Sequence, residues 1–222
     1  FLPPMSDVRL HTYWRSSCSW RVRIALAHKN IDYESIPVHL VREGGEHHRA
    51  EYKSLNPMEL VPTLEIDGIK LTQSNAILEY LEATRPESSL LPKDPAQAAR
   101  AREVAMMISC DIQPVQNLRI LQRIEAEQGA EKKGEWAKHW ITVGMQAVEA
   151  TLSQTAGTYC VGDTVTFADV CLVPQVYNAV RWGVDMAAYP ITSRVHAALE
   201  QLPAFKAAHP DVQPDCPPPA PA

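Results

Sequence analysis

Two folded parts are expected from this sequence: an N-terminal α/β domain on a mixed sheet, then a domain made only of helices. Strand and helix signals alternate up to about residue 84, and strand signals nearly vanish beyond Pro95. Between the two stretches lies a proline-rich connection, Arg85-Pro-Glu-Ser-Ser-Leu-Leu-Pro-Lys-Asp-Pro95, the kind of segment in which domain boundaries fall. The expected division is 6–86, a linker at 87–95, a helical domain at 96–212, and a disordered proline-rich tail at 213–222.

Val8–Tyr13 alternates apolar and polar residues as a short strand does. Ser16, Ser17 and Ser19 are good helix starters, and Trp20–His28 follows with Val22 and Leu26, flanked by Ile24 and Ala25, on one buried side. Asn30 is the expected stop. Tyr33–Leu40 reads as a second strand and Glu46–Leu55 as a short polar helix or loop. Val61–Ile66 and Ile69–Thr72 flank Asp67-Gly68, a pair that supplies the positive backbone angles of a tight hairpin turn. Gln73-Ser74 then precedes a helix through Thr84, with Ile77, Leu78 and Leu81 on its apolar side. The order β-α-β followed by β-β-α requires a parallel crossover and hence a mixed sheet with helices packed on it.

In the second half, Ala96–Gln128, Glu135–Thr155, Phe167–Val180 and Ile191–Leu202 read as helices, the first interrupted at Pro114. Thr166-Phe-Ala-Asp169 has the spacing of a reciprocal helix cap, with Asp in place of the usual Glu or Gln. A structural helix start is the preferred reading of Asp169. From Asp211 onward the prolines predict an extended, mobile tail.

Composition excludes several classes. With 45% hydrophobic and 21% charged residues in 222, the chain is an ordinary globular protein long enough to bury a core. A net charge of −5 argues against a general nucleic-acid binder. The five cysteines (Cys18, Cys110, Cys160, Cys171, Cys216) are scattered, show neither C-x-x-C spacing nor a disulfide framework, and fit a reducing, cytoplasmic compartment. The histidines show no metal-ligand spacing with a third partner, so no metal is expected. No apolar run reaches the length of a membrane span, and Phe1–Met5 lacks the features of a signal peptide. Met5 is taken as the natural start, with Phe1–Pro4 an addition ahead of it.

Chemistry concentrates in few places. Arg15-Ser-Ser-Cys-Ser-Trp20 falls where a strand gives way to a helix, and helix N-termini stabilise anions, thiolates included. Either Cys18 is a nucleophile of lowered pKa, or the hydroxyls hold the thiolate of a bound thiol, or Ser16 or Ser17 only caps the helix. Val61-Pro62 exposes backbone at a strand start. A cis bond there is not justified by sequence alone, since only about 5–6% of such bonds in folded proteins are cis. Gln73-Ser74 either caps its helix or grips a carboxylate. Gln113, Asn117, Arg119 and Arg181 stand among apolar helical residues. Arginine's planar fork suits a di-acid, the alternative being a solvated or ion-paired surface position.

Taken together, these segments resemble zeta-class glutathione transferases, which include maleylacetoacetate isomerases. The resemblance runs over nearly the whole chain: Arg15-Ser-Ser-Cys-Ser-Trp-Arg-Val-Arg-Ile-Ala-Leu26, Asn56-Pro-Met-Glu-Leu-Val-Pro-Thr-Leu64, Gln73-Ser74-x-Ala-Ile77, Cys110-Asp-Ile-Gln-Pro114 with Asn117, Val161-Gly-Asp163 with Ala168-Asp169, and Leu172-Val-Pro-Gln175 leading to Arg181. Val-Pro-Thr-Leu is common among glutathione transferases, whereas the serine–serine–cysteine segment discriminates. The resemblance implies a thioredoxin-like N-terminal domain, an all-α C-terminal domain, glutathione as cofactor and a homodimer. It implies that Ser17 orients the glutathione thiolate, with Arg15, Ser16 and Cys18 beside it in the catalytic segment. It further implies that Val61, before a cis-Pro62, pairs with the glutathione backbone and that Gln73 and Ser74 hold the γ-glutamyl carboxylate. His47, Gln113 and Asn117 are implied as further glutathione contacts, and Arg15, Arg119 and Arg181 as binders of a small acidic keto-acid substrate.

The activity implied is cis–trans isomerisation of maleylacetoacetate in tyrosine, phenylalanine and homogentisate catabolism, by reversible addition of a thiolate to the double bond. Isomerisation of maleylpyruvate and conjugation of halogenated acids or xenobiotics are the nearer alternatives. A non-enzymatic binding module has no need of Ser17, Gln73 and Ser74. A dithiol oxidoreductase is excluded, because Arg21 stands where the partner of Cys18 belongs.

Overall fold

The computed structural model describes residues 7–218. The expected start at Met5, the added Phe1–Pro4 and the end of the tail, 219–222, lie outside the described residues. The chain divides into two compact units: residues up to Ser88 together with those from Pro203 onward, and Ser89–Leu202.

The first unit begins with β1 (Arg9–Thr12), α1 (Ser17–His28) and β2 (Glu34–Pro37), continues through α2 (Ala50–Leu55), and ends with β3 (Thr63–Ile66), β4 (Ile69–Thr72) and α3 (Ser74–Thr84). The sheet order is β2-β1-β3-β4, with β1 parallel to β2 and the other two pairs antiparallel. It is the mixed sheet that the element order demands, and it gives the thioredoxin-like arrangement. The register sets Leu10 opposite Leu64, and these pack with Ile24, Leu26, Ile77, Leu78 and Leu81 into a core closed to solvent. Asp67 and Gly68 both adopt positive φ (53° and 76°), the geometry of the hairpin turn. The Asp67 carboxylate then accepts two bonds of 2.7 Å from the Arg85 guanidinium and one from Tyr80 Oη, tying the hairpin to α3.

Helix α1 departs from the expectation of one buried side. Ser17, Ser19 and every residue from Trp20 to Leu26 are buried, Arg21 and Arg23 included. The reason is a layer that composition conceals. Helix α9 (Pro203–Ala208) packs on α1, opening with a proline in its first turn, where the missing N–H costs nothing. A further turn at Pro210–Val212 follows. The segment expected to be an extended, disordered tail is therefore structured through its first part: Gln213 is buried and donates to the carbonyls of Ala207 and His209, and Asp215 accepts from Trp14 N. Residues 203–212 also belong with the first unit rather than with the helical domain. Prolines signal a break in regular structure, but they do not forbid packing when apolar residues such as Phe205 and Ala208 lie between them.

The second unit contains α4 (Pro95–Met106), α5 (Leu118–Gln128), α6 (Ala130–Thr155), α7 (Phe167–Arg181) and α8 (Pro190–Leu199). Between α4 and α5 the chain widens into a π-helix, Met107–Ile112, closed by Gln113 N donating to Ile108 O at 2.8 Å. Pro114, which has no N–H to give, ends it. The reciprocal cap at α7 is present. Buried Asp169 accepts from Thr166 N, Thr166 Oγ1 and Cys160 N at 2.7–2.9 Å, so its carboxylate is consumed by structure. No helix among the described residues is long and apolar enough to cross a membrane.

Acid sensitivity follows from two carboxylates of the first unit. Hydrogen bonds from Arg85 and Tyr80 lower the Asp67 pKa from 3.8 to about 2, and those from Lys53 and His48 lower that of Glu59 from 4.5 to about 2. A carboxylate whose pKa is depressed by folding stabilises the fold above its unfolded value and loses that contribution as pH falls through the folded one. Stability in urea melts followed by circular dichroism is expected to drop between about pH 4.5 and 2. Asp67→Asn combined with Glu59→Gln should flatten the decline in that window.

Candidate active site

The turn from β1 into α1 is fixed from within. The Arg23 guanidinium, 1% exposed, donates to Thr12 Oγ1 (3.1 Å) and to the carbonyls of Tyr13 (3.3 Å), Trp14 (2.8 Å) and Ala208 (3.2 Å). Burial lowers its pKa to about 10, with Tyr33 and Asp215 acting in the opposite sense, so it stays charged at neutral pH. Asp215 Oδ2 takes the Trp14 N–H at 2.8 Å. The backbone entering the helix is thus held by a buried cation on its carbonyl side and a carboxylate on its amide side.

The two neighbouring serines have separate tasks. Ser16 is the N-cap of α1: its backbone is extended (φ −68°, ψ 117°) and its Oγ accepts from Ser19 N at 3.2 Å. Ser17, 8% exposed, is the first helical residue, and its hydroxyl makes no hydrogen bond to any described residue. A free hydroxyl at the positive end of a helix suits an anion, to which the helix end contributes about 0.3–1 kcal/mol, and up to about 2 in partly buried geometry. Cys18 is half-buried, with its Sγ 4.0 Å from Arg21 Nη1. Half-buried Arg15 lies over the Trp14 ring, 5.2 Å from its centre.

The peptide between Val61 and Pro62 is cis. Strand pairing begins at Thr63, which leaves Val61 outside the ladder. The approach to this bond is braced at one carbonyl: Leu60 O accepts from Tyr52 Oη and from Asn56 Nδ2, both at 2.6 Å. Tyr13, Val38, Tyr52 and Val61 form one apolar cluster with Trp14 against it. This cluster brings the Val61 segment and the turn before Ser17 together.

Helix α3 starts without a side-chain cap. Gln73 is exposed with φ 68° and ψ 111°, and no side chain accepts at its N-cap. Plain capping by Gln73-Ser74 is therefore not what the geometry provides. Ser74 is buried, and its Oγ accepts from Arg21 Nη1 at 3.2 Å. Arg21, 1% exposed, thus joins the first turn of α1 to the first residue of α3.

His47 is buried on a short turn, its ring centre 3.9 Å from that of His48, and its Nδ1 has no partner among the described residues. Burial, then the neighbouring His48, lowers its pKa against the opposing pull of Glu59, so its neutral form is favoured. Gly45, at φ 105°, lies against this ring where a Cβ has no room.

In the second unit, buried Gln113 closes the π-helix, half-buried Asn117 stands at the N-cap of α5 without a side-chain cap bond, and exposed Arg119 lies in that helix's first turn. Exposed Arg181 is the last residue of α7 and lies over the Trp182 ring. The first three cluster around one helix break, and Arg181 comes from a different element.

Residues 6–83 match the glutathione S-transferase N-terminal domain and residues 118–208 its C-terminal domain. The chain is 52% identical to the maleylacetoacetate isomerase of Rattus norvegicus over 94% of either chain, and 55% identical to probable maleylacetoacetate isomerase 2 of Drosophila melanogaster over 97% of this chain and 94% of that one. This chain belongs to the zeta-class glutathione transferases. Its fold is close to that of a bacterial zeta-class maleyl pyruvate isomerase in its holo form (TM-score 0.90, 43% identity, 94% of this chain and 100% of that one). It is similarly close to the maleylacetoacetate isomerase of Anaeromyxobacter dehalogenans 2CP-1 with bound GSH (TM-score 0.86, 43% identity, 96% and 100%).

Sequence reading of this transferase missed the residues that hold the others. Arg21 and Arg23 sit among apolar neighbours in a helix, where arginine normally reads as a solvated face, and only full burial of α1 shows their work. Tyr52 and Asn56 act on a backbone carbonyl, which no side-chain pattern records. Arg23→Met keeps roughly the volume of the side chain and takes the donor from the carbonyls of Trp14 and Ala208, whereas Tyr13 O keeps Ser16 N at 2.9 Å. The substitution is expected to cost about 3 kcal/mol or more in urea unfolding, since each buried unsatisfied polar group costs about 1–3 kcal/mol. Asp215→Ala, which releases one half-buried amide, should cost about 1 kcal/mol.

Proposed function

We propose that this chain is a glutathione-dependent cis–trans isomerase that converts maleylacetoacetate to fumarylacetoacetate, a step in tyrosine, phenylalanine and homogentisate catabolism. The observation that carries the reading is the free Ser17 hydroxyl at the start of α1, with capping already done by Ser16. Similarity to maleylacetoacetate isomerases over nearly the whole chain supports the choice of substrate.

The residues present fit glutathione. They include a hydroxyl without a partner at a helix start, a backbone segment at Val61 outside the ladder, and an uncapped helix start at Ser74 backed by a buried guanidinium. On this reading Ser17 donates to the thiolate, Val61 pairs with the peptide backbone, and Gln73 and Ser74 hold the γ-glutamyl carboxylate. His47, Gln113 and Asn117 are assigned as further contacts. Bound glutathione supplies the thiolate that adds reversibly to the cis double bond, so that the bond can rotate, and it is not consumed. The protein's own work is electrostatic. The α1 terminus and Ser17 favour thiolate over thiol, and Arg15, Arg119 and Arg181 take the substrate carboxylates and the charge that develops on the enolate. Cys18, beside Ser17, is assigned to modulate the site. The five free cysteines support a reducing, cytoplasmic location, and a homodimer is assigned from membership of the class.

A second reading, isomerisation of maleylpyruvate, draws on the likeness to a maleyl pyruvate isomerase and asks for the same residues. The deciding assay follows maleylacetoacetate absorbance with catalytic glutathione, coupled to fumarylacetoacetate hydrolase, with maleylpyruvate in parallel. Turnover beyond one equivalent of glutathione is expected with maleylacetoacetate. Reaction of maleylpyruvate alone would make the second reading the right one, and silence on both would leave conjugation or binding.

Two substitutions test the roles. Ser17→Ala is expected to lower kcat by about 100-fold, the effect of removing one donor to a reacting anion. Arg181→Ala should raise the keto-acid KM by about 10- to 100-fold while glutathione affinity, read by calorimetry, stays within about twofold. Equal loss of both would remove Arg181 from the substrate site.

A further inference from the structure

We propose that Arg21 is a positioning residue for glutathione: it locks the Ser74 hydroxyl as a donor and supplies the fixed positive charge against which the γ-glutamyl carboxylate binds. The inference rests on the assignment of Ser74 to that carboxylate and adds a residue that makes the assignment work.

Three observations carry it. Arg21 is 1% exposed, yet among the described residues its Nε and Nη2 have no hydrogen-bond partner and no carboxylate lies within ion-pair distance of it. An unpaired guanidinium removed from water is a costly arrangement, and an anion delivered to its neighbourhood offsets that cost. Second, Nη1 donates to Ser74 Oγ at 3.2 Å. A guanidinium has donors and no acceptor, so Ser74 must accept here, and its own proton is turned outward to an acceptor of another kind. Third, Ser74 is the first residue of α3, whose start has no side-chain cap. Helix end, hydroxyl proton and buried charge thus all favour a negative group at one point. Arg21 acts there through Ser74 and by its field, without touching the reacting sulfur of the ligand.

Titration calorimetry of the full chain tests this, using glutathione and the analogue in which a 4-aminobutanoyl group replaces γ-glutamyl and so removes that one carboxylate. Arg21→Met is expected to weaken glutathione by about 10- to 30-fold, Ser74→Ala by about 10-fold, and Arg21→Lys, which keeps the charge but not the fork, by about 3- to 5-fold. The double variant should lie within about twofold of Arg21→Met, because one interaction is removed twice. For the analogue, Arg21→Met should change affinity by less than about twofold. Unchanged glutathione binding in Arg21→Met, losses that add in full, or an equal loss for the analogue would each overturn the proposal and leave Arg21 a packing role. Should Arg21→Met fail to fold by circular dichroism and thermal melting, Arg21→Lys carries the same cycle with Ser74→Ala. Unchanged affinity in Ser74→Ala alone would instead overturn the placement of the carboxylate at Ser74.

Discussion

The burial of α1 from Ser19 to Leu26, on every side, is the constraint on which the first unit depends. A helix covered on one side can turn its polar residues to water. This one lies against α3 and α9 and bonds to β1 through Arg23 and Thr12, so Arg21 and Arg23 have nowhere to go but inward. Each buried guanidinium must then be satisfied by whatever backbone or hydroxyl lies in reach. Arg23 gathers the carbonyls of the turn before Ser17 and one from the C-terminal helix, while Arg21 reaches the start of α3. The geometry of the turn before Ser17 is a by-product of satisfying Arg23, while Arg21 is met at Ser74 through one nitrogen only, and together they tie segments far apart in sequence to one local arrangement.

The same constraint separates the roles of Ser16 and Ser17, identical residues one position apart. With Trp14 held at both its amide and its carbonyl, the chain enters the helix at a fixed angle, and that angle makes Ser16 the cap. Ser17 then falls on the first helical residue, where a side chain cannot reach back to the amides it would need to cap. Its hydroxyl is left over by geometry, and a left-over donor at a helix start is available to a ligand.

What the sequence makes legible follows from how local each signal is. Asp67-Gly68, the Thr166–Asp169 cap and the break at Pro114 are set by bonds within a few residues, and each stands where the residues place it. The hydrophobic pattern of α3 is equally local. Arg21 and Arg23 defeat the same reading, because Arg21 reaches Ser74, 53 residues away, and Arg23 adds Ala208, 185 residues away, to partners across the turn before its helix. The proline-rich end misleads for a related reason. Its composition lowers the intrinsic tendency to order, and only the surface of α1 waiting to be covered, together with Trp14 N waiting for an acceptor, makes order favourable there.

Net charge is the least local signal of all, and the site shows why it decides little. A chain with five more acidic than basic side chains repels small anions at long range, but that repulsion is screened over about 8 Å at physiological ionic strength. Inside the first unit the field is set by groups at hydrogen-bond distance, and these are positive at both helix starts: the α1 terminus with Ser17, and the α3 terminus with Ser74 and Arg21 behind it. Because Arg21 is shielded from water and salt, its effect on an anion at Ser74 should resist ionic strength, whereas that of exposed Arg119 and Arg181 should weaken with it. On the assignments proposed above, glutathione binding is expected to be nearly independent of salt and keto-acid binding to weaken with it.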